Sequence, residues 1–193
     1  MATNATDMEH REMAHAISDW FARLLQTRLV TAAAIKGFCA AGGCMMSMCC
    51  DLRIITASGR MGLNELQLGM RVPISWAYLM AEIIGPSKAD ALCASGALVA
   101  AQECAAIGLV HIVSPQDTTI DVIRSALHAL EPYLRHPDPM RIQYKFERRS
   151  QMAGQVAAEG LTIAKDAYAF FGNPQNQERI RSILFGRGGG SRM

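Results

Sequence analysis

The sequence predicts an α/β fold that ends in a helical region, and three observations support this. Apolar runs of strand length alternate with helical patterns between Leu29 and Ser114, as is typical of α/β proteins. Half of the 193 residues are apolar and 19% are charged, so the chain can bury a proper core. After the prolines of the "RHPDP" segment, only helical patterns follow. We therefore predict a core over residues 1–135 and a helical region with a tail over 136–193.

The elements follow from local patterns taken in chain order. Residues 7–28 form a predicted amphipathic helix, because Met13, Ile17, Phe21, Leu24 and Leu25 recur at helical spacing. The other predicted elements are strands over 29–35, 52–57 and 108–114, helices over 44–50, 74–84, 87–95, 101–107, 117–134, 140–171 and 175–185, a turn over 58–62, and a loop with one helical turn over 63–73.

Charge and cysteine usage exclude several classes of protein. The net charge of +2 and the lack of a concentrated basic face argue against nucleic-acid binding, and the "KFERRS" run (145–150) is interpreted as a solvated helix face. No apolar run reaches membrane-spanning length. The six cysteines form no Cys-x-x-Cys pair, which favours free thiols in a reducing compartment.

The segment Ala40-Ala41-Gly42-Gly43 is the first candidate site. If a helix begins near Gly43, its first N–H groups have no intrahelical acceptor, and a ligand oxygen can approach an N–H of a glycine directly. The positive end of the helix would also favour a developing negative charge. The alternative interpretation is that the glycines only allow tight packing between a strand and a helix.

Glu65, within "GLNELQLG", is the second candidate. Leu63, Leu66 and Leu68 surround it in sequence, and no basic residue is nearer than Arg60 and Arg71. Apolar surroundings disfavour an ionised carboxylate, which raises its pKa toward values useful for proton transfer. The alternative interpretation is an ordinary residue in the first turn of a short helix that Asn64 caps.

These motifs together resemble the crotonase (enoyl-CoA hydratase/isomerase) superfamily. The ordered features are Ala-Ile-x-Gly, Ala-Gly-Gly-Cys, Cys-Asp-x-Arg and Gly-Leu-Asn-Glu-x-Gln-Leu-Gly, and "IGPSKADALCASGALVAAQECAAIGLVHIVSP" (84–115) continues the similarity. The resemblance covers about residues 29–115, and the enoyl-CoA isomerases are the most similar branch. It implies a superhelix of strand–strand–helix turns and C-terminal helices that form a homotrimer.

The resemblance also implies roles for individual residues. Gly42 matches the glycine whose N–H forms half of an oxyanion hole for the thioester carbonyl, and Glu65 matches the acid/base glutamate. The implied substrate is a fatty acyl-CoA of β-oxidation, without a separate cofactor or metal. The residues expected to contact this substrate are Ala41, Gly43, Met45, Leu66 and Leu68.

Met45 distinguishes two reactions within the family. It stands where the hydratases of the family carry a second glutamate that helps to hold the attacking water. Moving a double bond from C3 to C2 needs only one base, which removes a proton at C2 and returns it at C4. The sequence therefore favours an isomerase over a hydratase.

The family's second oxyanion donor comes from an earlier Phe-x-Ala-Gly-x-Asp-like motif, and nothing in this sequence matches it. This leaves two alternatives to the isomerase: a non-catalytic remnant that acts as an interaction subunit, or a hydratase.

The last three residues, Ser191-Arg192-Met193, are a variant of the peroxisomal Ser-Lys-Leu address. We therefore expect import by the peroxisomal receptor into a peroxisome or a glycosome-like organelle, with the mitochondrial matrix as the alternative location.

Overall fold

The computed structural model describes residues 6–135 and 138–178, which form two three-stranded sheets surrounded by helices. The strands are β1 (Ala32–Ile35), β2 (Phe38–Ala40), β3 (Leu52–Thr56), β4 (Arg60–Gly62), β5 (Val99–Ala100) and β6 (Ile112–Ser114). The helices are α1 (Asp7–Gln26), α2 (Gly42–Cys49), α3 (Glu65–Leu68), α4 (Ile74–Ile84), α5 (Pro86–Ser95), α6 (Ala101–Ala106), α7 (Thr119–Leu134), α8 (Asp138–Ala158) and α9 (Gly160–Phe171). The predicted α/β class is confirmed.

A strand–strand–helix unit occurs twice in succession. The first unit is β1, β2 and α2, and the second is β3, β4 and α3. β1 pairs in parallel with β3 in one sheet, whereas β2 pairs in parallel with β4 in the other. Because β2 and β4 are parallel, their carboxyl ends lie side by side, and α2 and α3 follow these two ends along the chain. β6 and β5 complete the two sheets.

The central strand β3 is buried along its whole length, between β1 and β6. Parallel strands covered on both faces read as apolar runs, and "LRIIT" fits this pattern except at Arg53. The buried guanidinium of Arg53 donates hydrogen bonds to the carbonyl oxygens of Leu109 and Cys50. These bonds satisfy part of its hydrogen-bonding capacity inside the protein.

Asp51 connects β1, β3 and α8 through one carboxylate. It accepts hydrogen bonds from the main chain and hydroxyl of Thr31 and from Lys145, and it forms an ion pair with Arg149. Burial acts to raise the pKa of Asp51, but the hydrogen bonds from Lys145 and Thr31 outweigh it and lower the pKa overall. Lys145 is 6% exposed, so the prediction of a solvated face over 145–150 is wrong at this position. The ion pair explains how a lysine can be buried there.

Other predictions of local structure were wrong in part. The predicted turn over 58–62 contains β4, and β2 and β5 were not predicted, because strands of two or three residues show little periodicity. The predicted helix over 140–171 is two helices that meet at Glu159. Gly160 lies against α1 there, where an added Cβ would be 3.2 Å from the Ser18 side chain.

The buried face of α1 differs from the predicted one. Phe21 and Leu25 are buried as expected, but Met13 and Ile17 are exposed. The inward positions of the first turns are instead His10, Ala14 and Ser18. Hydrophobicity alone therefore misplaced the face, because small and polar residues allow α1 to approach α9 closely.

The predicted boundary between residues 1–135 and 136–193 falls at 136–137, outside the described residues. The helix predicted over 175–185 is described only in part, with helical backbone over 174–178. The tail with Ser191, Arg192 and Met193 also lies outside the described residues. Within 6–135 and 138–178, none of the helices combines the length and apolar character that a bilayer crossing requires.

We predict that Asp51→Asn lowers the free energy of unfolding by about 3 kcal/mol, because the buried Lys145 loses its counter-charge. Chemical denaturation at neutral pH measures this change. The matched control is Asp19→Asn, which removes an exposed ion pair with Arg23 within α1 and should cost less than about 0.5 kcal/mol. Equal effects of the two substitutions would contradict the structural role of Asp51.

Candidate active site

Gly42 and Glu65 are each the first residue of a helix, and each of these helices follows one of the paired strands β2 and β4. Ala40 is opposite Gly62 in the parallel register, and the Ala41 N–H donates to the Gly62 carbonyl oxygen at 3.1 Å. Gly42 lies two residues beyond Ala40, and Glu65 lies three residues beyond Gly62. The fold therefore brings the two predicted catalytic residues to the same edge of one sheet.

The main chain at the start of α2 has open N–H groups. The first intrahelical bond of α2 is from the Met45 N–H to the Ala41 carbonyl oxygen, so the N–H groups of Gly42 and Gly43 precede it. Neither has an acceptor among the described residues, and no side chain caps the helix. Ala41 has a φ of 52°, a conformation that is strained for a residue with a Cβ. Such strain is common where the backbone has to point N–H groups toward a ligand.

The space around the glycines separates the two interpretations of this segment. A Cβ added at Gly42 would lie 3.8 Å from the Trp76 ring, and one at Gly43 would lie 3.9 Å from the Cys39 sulfur; both are ordinary contacts. A Cβ at Gly62 would lie only 2.3 Å from the Ala97 carbonyl oxygen. Tight packing thus explains Gly62, but among the described residues it does not explain Gly42 or Gly43.

Glu65 is a buried carboxylate without a partner. It is 4% exposed, and neither carboxylate oxygen has a hydrogen-bond partner among the described residues. Burial raises the pKa of Glu65 to about 7, against a smaller opposing effect of its own main-chain N–H. At neutral pH the carboxyl group can therefore both accept and release a proton.

The surroundings of Glu65 differ from those that its sequence neighbours suggest. Leu63 is buried, whereas Leu66 is 44% exposed and Leu68 is half-buried. Burial raises the pKa of the thiols of Cys44 and Cys93, and the nearby charge of Glu65 raises both further. Two neutral thiols from α2 and α5 therefore lie in the environment of this carboxylate. The sequence offered no signal for them, because cysteines in apolar segments are common core residues.

The nearest arginines in sequence do not pair with Glu65. Arg71 forms ion pairs with Glu159 and Asp166 of the C-terminal helices. Arg60 is exposed and directs its guanidinium to the Leu98 carbonyl oxygen. Among the described residues, no other charged group contributes to the pKa shift of Glu65. The expectation of a carboxylate without a nearby cation agrees with this arrangement.

The residues predicted to contact substrate have different environments. Ala41 and Gly43 are half-buried at the start of α2, and Gly43 lines an apolar cavity of about 580 Å³ with Phe38 and Met46. Glu65 is not among the residues that line this cavity. Met45 is fully buried in the core. Trp76, which contacts the Gly42 position, was not predicted, because it is one of many apolar residues in α4.

This arrangement suits proton transfer next to a group that develops negative charge. The carboxyl group supplies the acid and base, and the open N–H groups at the start of α2 can stabilise an oxyanion. Within residues 6–135 and 138–178, no cluster of three or more His, Cys, Asp or Glu side chains is suitable for a metal ion.

The comparison with protein families assigns the class. The family model described as "Enoyl-CoA hydratase/isomerase" matches residues 1–181. The chain therefore belongs to the enoyl-CoA hydratase/isomerase family, in agreement with the resemblance that its motifs show.

The names of individual relatives are more specific than the description of the family. The human mitochondrial enoyl-CoA delta isomerase 1 is 29% identical over 187 residues, which cover 93% of this chain and 61% of the relative. The 2,3-dehydroadipyl-CoA hydratase of Escherichia coli is 28% identical, over 92% of this chain and 70% of the relative. The crystal structure of human mitochondrial Δ3-Δ2-enoyl-CoA isomerase superimposes with a TM-score of 0.85 at 26% identity, covering 96% of this chain and 73% of that one. This chain thus spans about three fifths of the length of the human isomerase.

We predict that Glu65→Gln stabilises the protein at pH 8 but not at pH 4. The pKa of Glu65 is about 7 in the folded protein and 4.5 in the unfolded reference. The folded state therefore binds the proton more tightly, and stability falls as the pH rises from about 4.5 through about 7. The penalty above pH 7 is on the order of 3 kcal/mol, and glutamine removes it. Denaturation at both pH values measures the effect, with Glu12→Gln on the exposed face of α1 as the control.

Proposed function

We propose that this chain is an enoyl-CoA isomerase that moves a 3-double bond of a fatty acyl-CoA to the trans-2 position. The observation that carries the proposal is the Glu65 carboxylate, which is unpartnered among the described residues and follows β4, the strand paired with the one that leads into α2. Coenzyme A enters as part of the substrate, and no further cofactor is required. The similarity to the human enoyl-CoA delta isomerase supports the choice of substrate class.

The reaction needs two proton transfers at one carboxyl group. Ionised Glu65 removes a proton from C2 of the 3-enoyl thioester, and the electrons of that C–H bond move into a dienolate. The Gly42 N–H and the positive end of α2 stabilise the charge on the thioester oxygen. Protonated Glu65 then donates the proton at C4, and the electrons return to form the 2,3-double bond. The carboxylate is regenerated, so the reaction is balanced.

A hydratase would need a second polar group to orient water, and Met45 argues against one. The position that carries a second glutamate in hydratases is here a fully buried methionine. Among the described residues, no second carboxylate acts on the pKa of Glu65. Hydratases are also among the relatives, so the choice of isomerase depends on Met45 rather than on the comparisons.

A non-catalytic interaction subunit is the second candidate. It is favoured by the absence of Glu65 from the residues that line the cavity at Gly43. The homotrimer and the peroxisomal import receptor remain predictions. The names of the mammalian relatives support the mitochondrial alternative for the location.

The test is conversion of 3-hexenoyl-CoA to the 2-enoyl isomer, followed spectrophotometrically. We expect Glu65→Gln to lower kcat by at least about 10²-fold, the usual contribution of a general base. In the wild type, kcat/KM should rise with pH around a midpoint near 7, because only ionised Glu65 accepts the C2 proton. No turnover by the wild type would favour the interaction subunit, and water addition to the 2-enoyl product at the same rate would favour a hydratase.

We further predict that Gly42→Ala lowers kcat/KM by about 10²-fold, similar to the loss of one oxyanion donor, while the fold is retained. The new methyl group would occupy the approach to the Gly42 N–H but would meet only an ordinary contact with Trp76 at 3.8 Å. The free energy of unfolding should therefore change by less than about 1 kcal/mol. The control is Gly154→Ala on α8, where no atom lies within 4 Å of the added Cβ. Unchanged activity of Gly42→Ala would remove this N–H from the mechanism.

A further inference from the structure

A second cavity, with a largely polar lining, lies at the opposite end of α2 from Gly42. It has a volume of about 260 Å³, and Met48 and Asp51 place it at the carboxyl end of that helix, about 10 Å along the helix axis from Gly42. Its other polar lining residues are Arg53, Glu82, His111, Tyr144, Arg148 and Arg149, and its apolar lining residues are Leu25, Leu79, Ile83 and Met152. Glu65 does not line this cavity, so the cavity is separate from the proposed active site.

The cavity contains more positive than negative charge. Arg53, Arg148 and Arg149 line it against Asp51 and Glu82. Asp51 is already engaged by Lys145 and Arg149, and Glu82 pairs with Arg148. Arg53 has no carboxylate within ion-pair distance among the described residues, although it is only 5% exposed. Burial and the charge of Arg149 lower the pKa of Arg53 to about 10, and the opposing effect of Asp51 is smaller, so an anion in the cavity would stabilise the guanidinium.

The hydrogen bond between Arg53 and His111 fixes what the histidine ring offers. The Arg53 main-chain N–H donates to Nδ1 of the His111 ring at 3.1 Å, and the His111 main-chain N–H donates to the Arg53 carbonyl oxygen at 2.9 Å. Nδ1 is therefore an acceptor, and in the neutral ring the proton is on Nε2. Burial and the charge of Arg53 lower the pKa of His111, which favours the neutral ring. The ring thus supplies an N–H donor in addition to the three guanidinium groups.

We propose that this cavity binds a small tetrahedral oxyanion, either phosphate or the phosphate group of an organic ester. Arginine guanidinium groups match the geometry of phosphate oxygens and bind them through paired N–H donors. Arg53 supplies the buried cation, His111 a neutral donor, and Arg148 a cation at the exposed side, where its side chain is 53% exposed. The apolar lining next to these donors would accommodate a short hydrocarbon group of an ester.

Titration calorimetry of the full chain with inorganic phosphate, at constant ionic strength set with chloride, tests the proposal. We expect saturable binding of one phosphate per chain. Glu82→Gln should tighten it by about fivefold, because it removes a repelling charge and releases Arg148, and Arg148→Gln should weaken it by about the same factor. Butyl phosphate binding more tightly than phosphate identifies an ester as the ligand, and equal or weaker binding identifies the free anion.

Matched controls distinguish phosphate binding in this cavity from an effect of the overall surface charge. Glu131→Gln and Arg124→Gln on α7 make the same changes of charge, at exposed ion pairs away from the cavity, and should leave phosphate affinity unchanged. Because Glu82 and Arg148 are partly exposed, both variants should fold, which circular dichroism can verify. The absence of saturable binding, or equal affinities for all four variants, would overturn the proposal.

Discussion

The parallel pairing of β2 with β4 is the constraint on which the candidate active site depends. It places the ends of two short strands side by side, and each strand leads within three residues into a helix. Ala41 holds the two units in register through its bond to Gly62, at the cost of a positive φ angle. Without this pairing, Gly42 and Glu65 would be two unrelated helix starts, 23 residues apart in sequence.

Glu65 is placed in an environment that a purely structural carboxylate would avoid. Buried polar groups in native proteins almost always have hydrogen-bond partners, yet both of its oxygens lack one among the described residues. Stabilising contacts elsewhere offset the cost of this unsatisfied group. For example, Glu159 accepts hydrogen bonds from the N–H groups of Ile74 and Ser75 at the start of α4. An unsatisfied group retained in this way is characteristic of catalytic sites, where its altered pKa is useful.

The sequence allowed the fold class and most of the helices to be predicted, and Gly42 and Glu65 to be chosen as site candidates, because each depends on a local pattern. The short strands β2, β4 and β5 were missed or misassigned, since two or three residues carry no period. The thiols around Glu65, the ring of Trp76 and the burial of Lys145 were not predictable, because each results from residues distant in sequence. Glycines show the limit of prediction from sequence most clearly. Gly42 and Gly62 look equivalent in the sequence, but of the two only Gly62 is required by packing against described residues.

Asp51 and Glu65 show how the pKa of a carboxyl group can shift in opposite directions within the same fold. Burial acts to raise the pKa of both carboxyl groups. At Asp51 the hydrogen bonds from Lys145 and Thr31 reverse the effect, so the group stays ionised and connects β1, β3 and α8. At Glu65 nothing described reverses it, so the group can exchange its proton near neutral pH. The difference is one of partners rather than of burial, and it follows that a cation introduced beside Glu65 would lower the pKa of this carboxyl group and form a structural ion pair with it.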